Sequence, residues 1–439
     1  MIQTPRGTSD ILPSEQKYWA FIERQFEKLV LFFAFSKIDT PMFEYKDVFE
    51  KSLGTFTDIV EKQMYQLKRS GQDNIKDEKD KEDLILRPEL TASLARAYIE
   101  HGMHSLPQPV KLYSIGSVFR YERPQKGRFR EHHQLDLEIF GSASSYSDAF
   151  LISILSQFYR KIGLSEIIIS INSLGCRDCR GSIKKAILDY FLPYKDSLCE
   201  TCQNRLIKNP LRILDCKEEK CQRIIKNVPP IIDHLCHSCR EHFKSVLEYL
   251  DDLEISYDFN PRLVRGLDYY TKTVFEIIPK DKGSSLGGGG RYDYLIENLG
   301  GRATPAVGAA LGMERIIEEL KKINFEIEQN NQVEVFLICL GALAKKKSLP
   351  LLFKLYNEGF KVAIAMDKAT LNSQLRRADK SKAYYSLILG QREARDNTII
   401  VRNMLGGSQE TIILKKLPDY LKKQIGGVIK VKKELKEEK

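Results

Sequence analysis

Apolar positions recur with helical spacing from Ser14 to about Phe35, at Tyr18, Phe21, Ile22, Phe26, Leu29 and Val30, with Pro13 near the start. This predicts an amphipathic helix at the head of the chain. Ile38 to Tyr45 reads as a strand broken at Pro41, and residues 66–83, almost wholly polar between apolar flanks, read as a hairpin or loop with a solvated tip. Helical spacing returns from Arg87 to Glu100. Strands over 111–121 and 134–140 then flank a basic turn in which Lys126, Arg128 and Arg130 surround Gly127. A helix over 148–162 and a strand over 166–172 follow.

Further along, strand-like runs at 257–259 and 273–278 lead into the glycine-rich SSLGGGGRYD and then VGAALGMERIIEEL, which turns helical. Strand mostly follows strand with few crossover helices, so the pattern predicts an α+β fold on an antiparallel sheet. From Val333 the pattern changes to strand, helix, strand, helix, strand. That alternation predicts a small C-terminal α/β domain with a mixed sheet. No internal repeat of fixed period is present.

A length of 439 residues argues for about three domains at roughly 150 residues each. With 42% hydrophobic and 29% charged residues the chain can bury ordinary cores, which excludes low-complexity and globally disordered classes. The net charge of +10 fits a polyanionic partner without requiring one. The longest apolar runs, such as Leu29–Phe35, are too short to span a bilayer, and MIQTPRGTSD lacks the apolar core of a signal peptide, so a cytoplasmic location away from membranes is expected. Eight of the nine cysteines fall between Cys176 and Cys239, which marks an inserted domain over roughly 174–254. Cys176/Cys179, Cys199/Cys202 and Cys236/Cys239 form CxxC pairs, joined by Cys216 and Cys221. These are more than enough for one tetrahedral zinc and could supply two, with buried reduced thiols as the alternative. Cys339, in an apolar strand, belongs to a core.

SSLGGGGRYD is neither GxGxxG nor GxxxxGK[ST]; taken alone it is a tight turn, a close backbone contact or a ligand-facing loop. Arg120 and Glu122 alternate with aromatic residues, and Gln134, Asp136 and Glu138 with aliphatic ones, so each polar set projects from one face of a strand. Such faces form either a solvated edge or the charged floor of a cleft.

PRGTSD, Pro41 with Glu44, LRPELT at 86–91, FRYERPQKGRFREHHQLDLEIFG from Phe119 to Gly141, LVRGLDYYTKTVFE from Leu263 to Glu276, GGRYD at 289–293 and GGRATPAVGAALGMER ending at Arg315 together resemble the bacterial histidyl-tRNA synthetases, a family of class II aminoacyl-tRNA synthetases. The resemblance spans nearly the whole chain. It implies a six-stranded antiparallel catalytic sheet carried by residues 1–173 and 255–325, the mainly helical insert at 174–254, and an anticodon-binding domain at 331–439. It also implies ATP and Mg2+, L-histidine and tRNA(His) as ligands, and a homodimer. Leu90 and Gly288 stand where many relatives have Gly and Ala. A catalytically inactive relative serving as a regulator or tRNA-sensing module is the alternative, but such regulators lose site residues that this chain keeps.

Residue by residue, the resemblance gives Arg120, Arg265 and Arg315 the catalytic roles. Arg120 and Arg315 would clasp the α- and γ-phosphate regions of ATP with Glu122 near the adenine, and Arg265 would lie between the substrate carboxylate and the α-phosphate. The structural alternative for Arg265 is a pair with Asp268. Glu89, Thr91 and Gln134 would hold the α-amino group, and Glu138 and Tyr270 the imidazole, with Tyr269 close by. Arg123, Gln125, Lys126 and Arg128 would meet the tRNA acceptor end. The chemistry agrees: adenylate formation gathers negative charge that fixed guanidinium groups stabilise, and acceptor-rich groups suit an ammonium ion.

Overall fold

The amphipathic N-terminal pattern becomes a helix over Gln16–Phe32 in the computed structural model, which describes residues 2–54, 57, 59–68, 83–125, 127–281, 283–327, 333–366 and 370–426. Its buried side chains are Trp19, Ile22, Phe26, Leu29 and Val30, spaced three or four apart, whereas Tyr18 and Phe21 are only half-buried. The chain divides into two compact units, Met1–Ile327 and Glu328–Lys439.

Strands in the first unit are β1 (Ser36–Lys37), β2 (Phe43–Tyr45), β3 (Tyr65–Gln66), β4 (Leu84–Leu86), β5 (Val110–Phe119), β6 (Glu131–Phe140), β7 (Ile167–Ser173), β8 (Tyr257–Phe259), β9 (Thr271–Pro279), β10 (Gly287–Arg291) and β11 (Ala306–Gly312). The main sheet runs β1-β5-β6-β11-β10-β9-β7-β8. Its six central strands are antiparallel, as the α+β reading requires, and a short parallel strand extends each edge. Of the broken strand expected at 38–45 only Phe43–Tyr45 is strand, β2 of a small β2-β4-β3 sheet, while β1, just before that range, joins the main sheet. Pro41 lies between them and lacks the N–H a continuous ladder needs. The polar hairpin is founded on the β3–β4 pair; its tip lies outside the described residues.

The glycine-rich stretch is neither a turn nor a loop: it is β10, in the middle of the sheet between β9 and β11. Periodicity missed it because glycines carry no side chain to register an inward face. The helix expected from Arg87 begins at Thr91. Pro88 holds its predecessor away from helical backbone, and Glu89 accepts hydrogen bonds from the Thr91 and Ala92 N–H groups (2.9 and 2.8 Å), supplying the cap.

Leu135, Leu137 and Ile139 of β6, with Phe275 and Ile277 of β9 and Val307, Ala309 and Leu311 of β11, pack against helices Gln16–Phe32, Ser145–Lys161 and Met313–Lys322. Gln134, Asp136 and Glu138 therefore project from the opposite face. Between β7 and β8 the chain forms helices Arg177–Phe191, Glu200–Lys208, Glu219–Ile225 and His237–Asp252, and the apolar residues of the first three share one core cluster with helix Thr91–Glu100.

The second unit holds β12 (Val335–Cys339), β13 (Val362–Ile364), β14 (Tyr385–Leu389), β15 (Thr398–Asn403) and β16 (Gln409–Ile413) in the order β13-β12-β14-β15-β16. The first two pairings made by β12 are parallel and the remaining two antiparallel, so the mixed sheet is as expected, with β16 an addition. Cys339 is buried in its core. Among the described residues no helix is long and apolar enough to cross a membrane.

Candidate active site

The sheet face opposite the helices opens as a cleft of ≈ 390 Å3. Its depth comes from small residues set beside charged ones: Asp136 pairs across strands with Ala310, which pairs with Gly288, which pairs with Glu276. Glu138 faces Gly308, where an added Cβ would come 1.6 Å from its carboxylate, so only glycine leaves room. At Gly288 a Cβ would meet the Phe275 carbonyl at 2.6 Å and the Arg265 guanidinium at 2.8 Å, so the expected alanine of relatives would require this wall to shift. Leu90 is wholly buried core.

Glu89, Thr91 and Gln134 line the cleft. Gln134 is buried, and its Oε1 has no partner among the described residues, an acceptor aimed at whatever fills the cleft. Glu138 lies beneath, fully buried, accepting from Thr91 Oγ1 (2.7 Å) and from the Tyr292 hydroxyl. Burial, with nearby Asp136, holds the Glu138 carboxyl well above the usual carboxylate range; burial also raises Glu89. Asp136, fully buried with both oxygens unpartnered among the described residues, is raised well above its range by burial and by Glu89. The floor is thus a cluster of buried carboxyl groups that favours a positively charged or proton-donating ligand.

Arg120, Arg265 and Arg315 line the same cleft. Arg120 is oriented by a hydrogen bond from Nε to the Pro88 carbonyl (2.8 Å). Arg315, at the start of helix Met313–Lys322, donates to the Gly127 carbonyl (3.1 and 3.0 Å) and the Ser285 carbonyl (2.7 Å). Burial and the charge of Arg120 lower its pKa, as expected where two guanidinium groups crowd in a partly desolvated site. Arg265 pairs with Glu276, not with Asp268, and its buried Nε has no partner among the described residues. Asp268 turns away toward Asn209, whose Nδ2 donates to it at 2.9 Å. Tyr269 and Tyr270 complete the wall, their rings 4.6 Å apart and Tyr292 5.3 Å from Tyr269.

The structure therefore brings together Glu89, Thr91, Arg120, Glu122, Arg128, Gln134, Arg265, Tyr269, Tyr270 and Arg315 around one cleft, with Glu138 directly below. Arg123 and Gln125 do not line it; they are exposed on the basic hairpin, closed by a Gln125–Arg128 bridge with Gly127 at φ 71°. Lys126 lies outside the described residues. Arg128 bridges rim and hairpin, 3.6 Å from Glu122. Sequence reasoning missed Arg212 and Asp215, which reach the cleft from the helical insert with no motif to announce them, and Tyr292, although GGRYD was visible. The eight cysteines of the insert form two groups of four, away from this cleft.

Fold and cleft together define a class II aminoacyl-tRNA synthetase. A family model described as tRNA synthetase class II core domain (G, H, P, S and T) matches residues 65–344, and an anticodon binding domain model matches residues 334–424. The histidine–tRNA ligase of Pelotomaculum thermopropionicum is 43% identical over 425 residues, covering 96% of this chain and 98% of the relative. That of Dehalococcoides mccartyi is 42% identical over 427 residues, covering 97% and 100%. The crystal structure of apo Staphylococcus aureus histidyl-tRNA synthetase superposes with a TM-score of 0.78 at 34% identity, covering 96% of this chain and all of the other. The chain belongs to the histidine–tRNA ligase family and is an enzyme of that class. Full-length relatedness to ligases, with the anticodon-binding domain present, does not favour the inactive-regulator alternative.

Proposed function

We propose that this cleft is where L-histidine and ATP combine to histidyl-adenylate and pyrophosphate, and from which histidine passes to the 3′ end of tRNA(His). One observation carries the reading: a floor of buried acceptors and a wall of three arginines, with Gln134 Oε1 and Arg265 Nε both unpartnered among the described residues, share one cleft. The histidine ammonium group donates to Gln134, Glu89 and Thr91. The imidazole sits between Glu138 and Tyr270, with Tyr269 alongside. A site built to hydrogen-bond both ring nitrogens rejects apolar isosteres, whose binding would leave buried polar groups unpaired.

The substrate carboxylate is directed past Arg265 toward the α-phosphorus. As its oxygen bonds there and the bond to pyrophosphate breaks, charge grows on the non-bridging oxygens, and Arg265 and Arg120 meet it. Arg315 exchanges its Gly127 and Ser285 carbonyl partners for the γ-phosphate, and Glu122 faces the adenine. Glu276, an oxygen donor in the cleft, fits Mg2+, which would neutralise phosphate charge. The terminal ribose hydroxyl of tRNA then attacks the histidyl carbonyl and AMP departs.

The exposed Arg123 and Gln125, with Lys126 and Arg128, suit contact with the acceptor end, where phosphate contacts position and side-chain amides can read base edges. Residues 1–173 and 255–325 form the catalytic domain, 174–254 the insert and 331–439 the anticodon-binding domain. Exposed Met42, Phe43 and Tyr45, grouped in the short stretch after Pro41, support a homodimer. Clusters of unbridged thiols support a reducing, cytoplasmic setting. Histidine-dependent exchange of pyrophosphate into ATP tests the reading; exchange driven by another amino acid, or none with histidine, would overturn it.

A further inference from the structure

We propose that the helical insert binds two structural zinc ions that brace residues 265–270, the segment carrying Arg265, Tyr269 and Tyr270, against the cleft. One ion is held by Cys176, Cys179, Cys236 and Cys239, and the other by Cys199, Cys202, Cys216 and Cys221. The sequence leaves the pairing of CxxC units open; the fold decides it. The first and last pairs meet at the starts of the insert's first and last helices, and the inner four cysteines form a second site from the chain between them.

Within each group the sulfurs all lie within 4.8 Å of one another. Separations of 3.8 Å recur, at Cys176–Cys179, Cys176–Cys236, Cys179–Cys239 and Cys199–Cys216. A tetrahedron with metal–sulfur bonds of about 2.3 Å has edges of about 3.8 Å. A disulfide would need about 2.05 Å, and all nine cysteines are free. Packing of thiols as small apolar groups does not require tetrahedral edges twice over.

Helix ends and backbone donors are aimed at the sulfurs. Cys176, Cys199 and Cys236 each stand immediately before a helix, so three helix N-termini face the sulfurs. Backbone N–H groups donate to sulfur from Cys176 to Cys179 (3.1 Å), from Cys199 to Cys221 (3.2 Å) and from Cys202 to Cys199 (3.4 Å). Four sulfurs leave no open coordination position, which is the structural and not the catalytic arrangement, and soft thiolates select zinc over magnesium or calcium.

Each site also reaches the cleft. Arg180, next to Cys179, donates to the Tyr270 carbonyl (3.2 Å) and the Asp268 carbonyl (3.4 Å). From the stretch between Cys202 and Cys216, Asn209 holds the Asp268 carboxylate (2.9 Å) and Arg212 donates to the Gly266 carbonyl (2.5 Å). Residues 265–270 are irregular backbone, and Gly266 is exposed with nothing within 4 Å of its Cβ position, so the insert supplies much of their support. Arg180, Asn209 and Arg212 are positioning residues; their relevance to histidine activation rests on the reading of the cleft given above, whereas the metal count does not.

Full-length protein expressed in zinc-replete medium and washed with a weak chelator should carry two zinc ions per chain by elemental analysis. Cys216→Ser and Cys236→Ser should each lower the count by one, because a three-sulfur site binds far more weakly. Cobalt substitution should give the spectrum of tetrahedral thiolate coordination at two equivalents. Fewer than two zinc ions, iron in their place, or an unchanged count in both variants overturns the metal sites. For the brace, Arg212→Ala should keep both ions yet raise amide hydrogen exchange in peptides covering 263–272 about tenfold, the scale of one lost hydrogen bond, with Arg212→Lys restoring part of the protection. Unchanged exchange there overturns the brace. If wild-type protein fails the histidine-dependent pyrophosphate assay while these results hold, the activity reading falls and the metal sites and brace stand.

Discussion

Arg265→Ala separates transition-state stabilisation from scaffold. Arg265 is tied to Glu276 through Nη1, while its buried Nε has no partner among the described residues, so the pair orients the guanidinium and leaves a donor for charge arising at the α-phosphate. Removing one such preorganised donor costs about 100-fold to 1,000-fold in rate, about 2.7–4 kcal/mol. The stability term is smaller. The Arg265 and Glu276 side chains are 18% and 27% exposed, so water still reaches both, and the lost pair should cost about 1 kcal/mol. Histidine affinity should fall less than the rate, because Glu89, Thr91, Gln134, Glu138 and Tyr270 still hold the ammonium and imidazole groups. Single-turnover adenylate formation, equilibrium histidine binding and thermal unfolding measure the three quantities separately. Proportional losses of rate and binding would assign Arg265 to ground-state binding, and early unfolding of the variant would assign it to the scaffold; either refutes the reasoning.

Deletion of residues 331–439 should weaken tRNA charging far more than adenylate formation, since that unit has its own core and the cleft residues named above all belong to the other unit; equal losses in both assays would show instead that it holds up the catalytic unit. Asp136→Asn should stabilise the protein increasingly as pH rises. Burial raises the folded carboxyl well above its ordinary value, so the unfolded chain ionises first and the wild type loses stability as pH climbs from the ordinary carboxylate range through the folded pKa, a loss the amide cannot suffer. Thermal unfolding from about pH 5 to about pH 8 should show the gap between variant and wild type widening, and a constant or narrowing gap contradicts it.

The sequence by itself determined whatever depends on local spacing. Alternation along 134–140 put Gln134, Asp136 and Glu138 on one face, three- and four-residue spacing set the first helix, and the order of motifs carried the family resemblance, because side-chain direction follows from backbone period alone. It also gave the mixed C-terminal sheet, since alternating strands and helices require crossovers. Tertiary structure decided what depends on distant segments meeting. Only the folded sheet reveals SSLGGGGRYD as a central strand, its Gly288 set close against Arg265, and brings Gly308 of the neighbouring strand against Glu138. Only the fold turns Arg265 onto Glu276 and Asp268 onto Asn209 and sorts eight cysteines into two nested groups. It alone carries Arg212 from the insert into the cleft. Such choices are made by side chains far apart in the chain competing for the same partners, and no window of sequence contains both competitors.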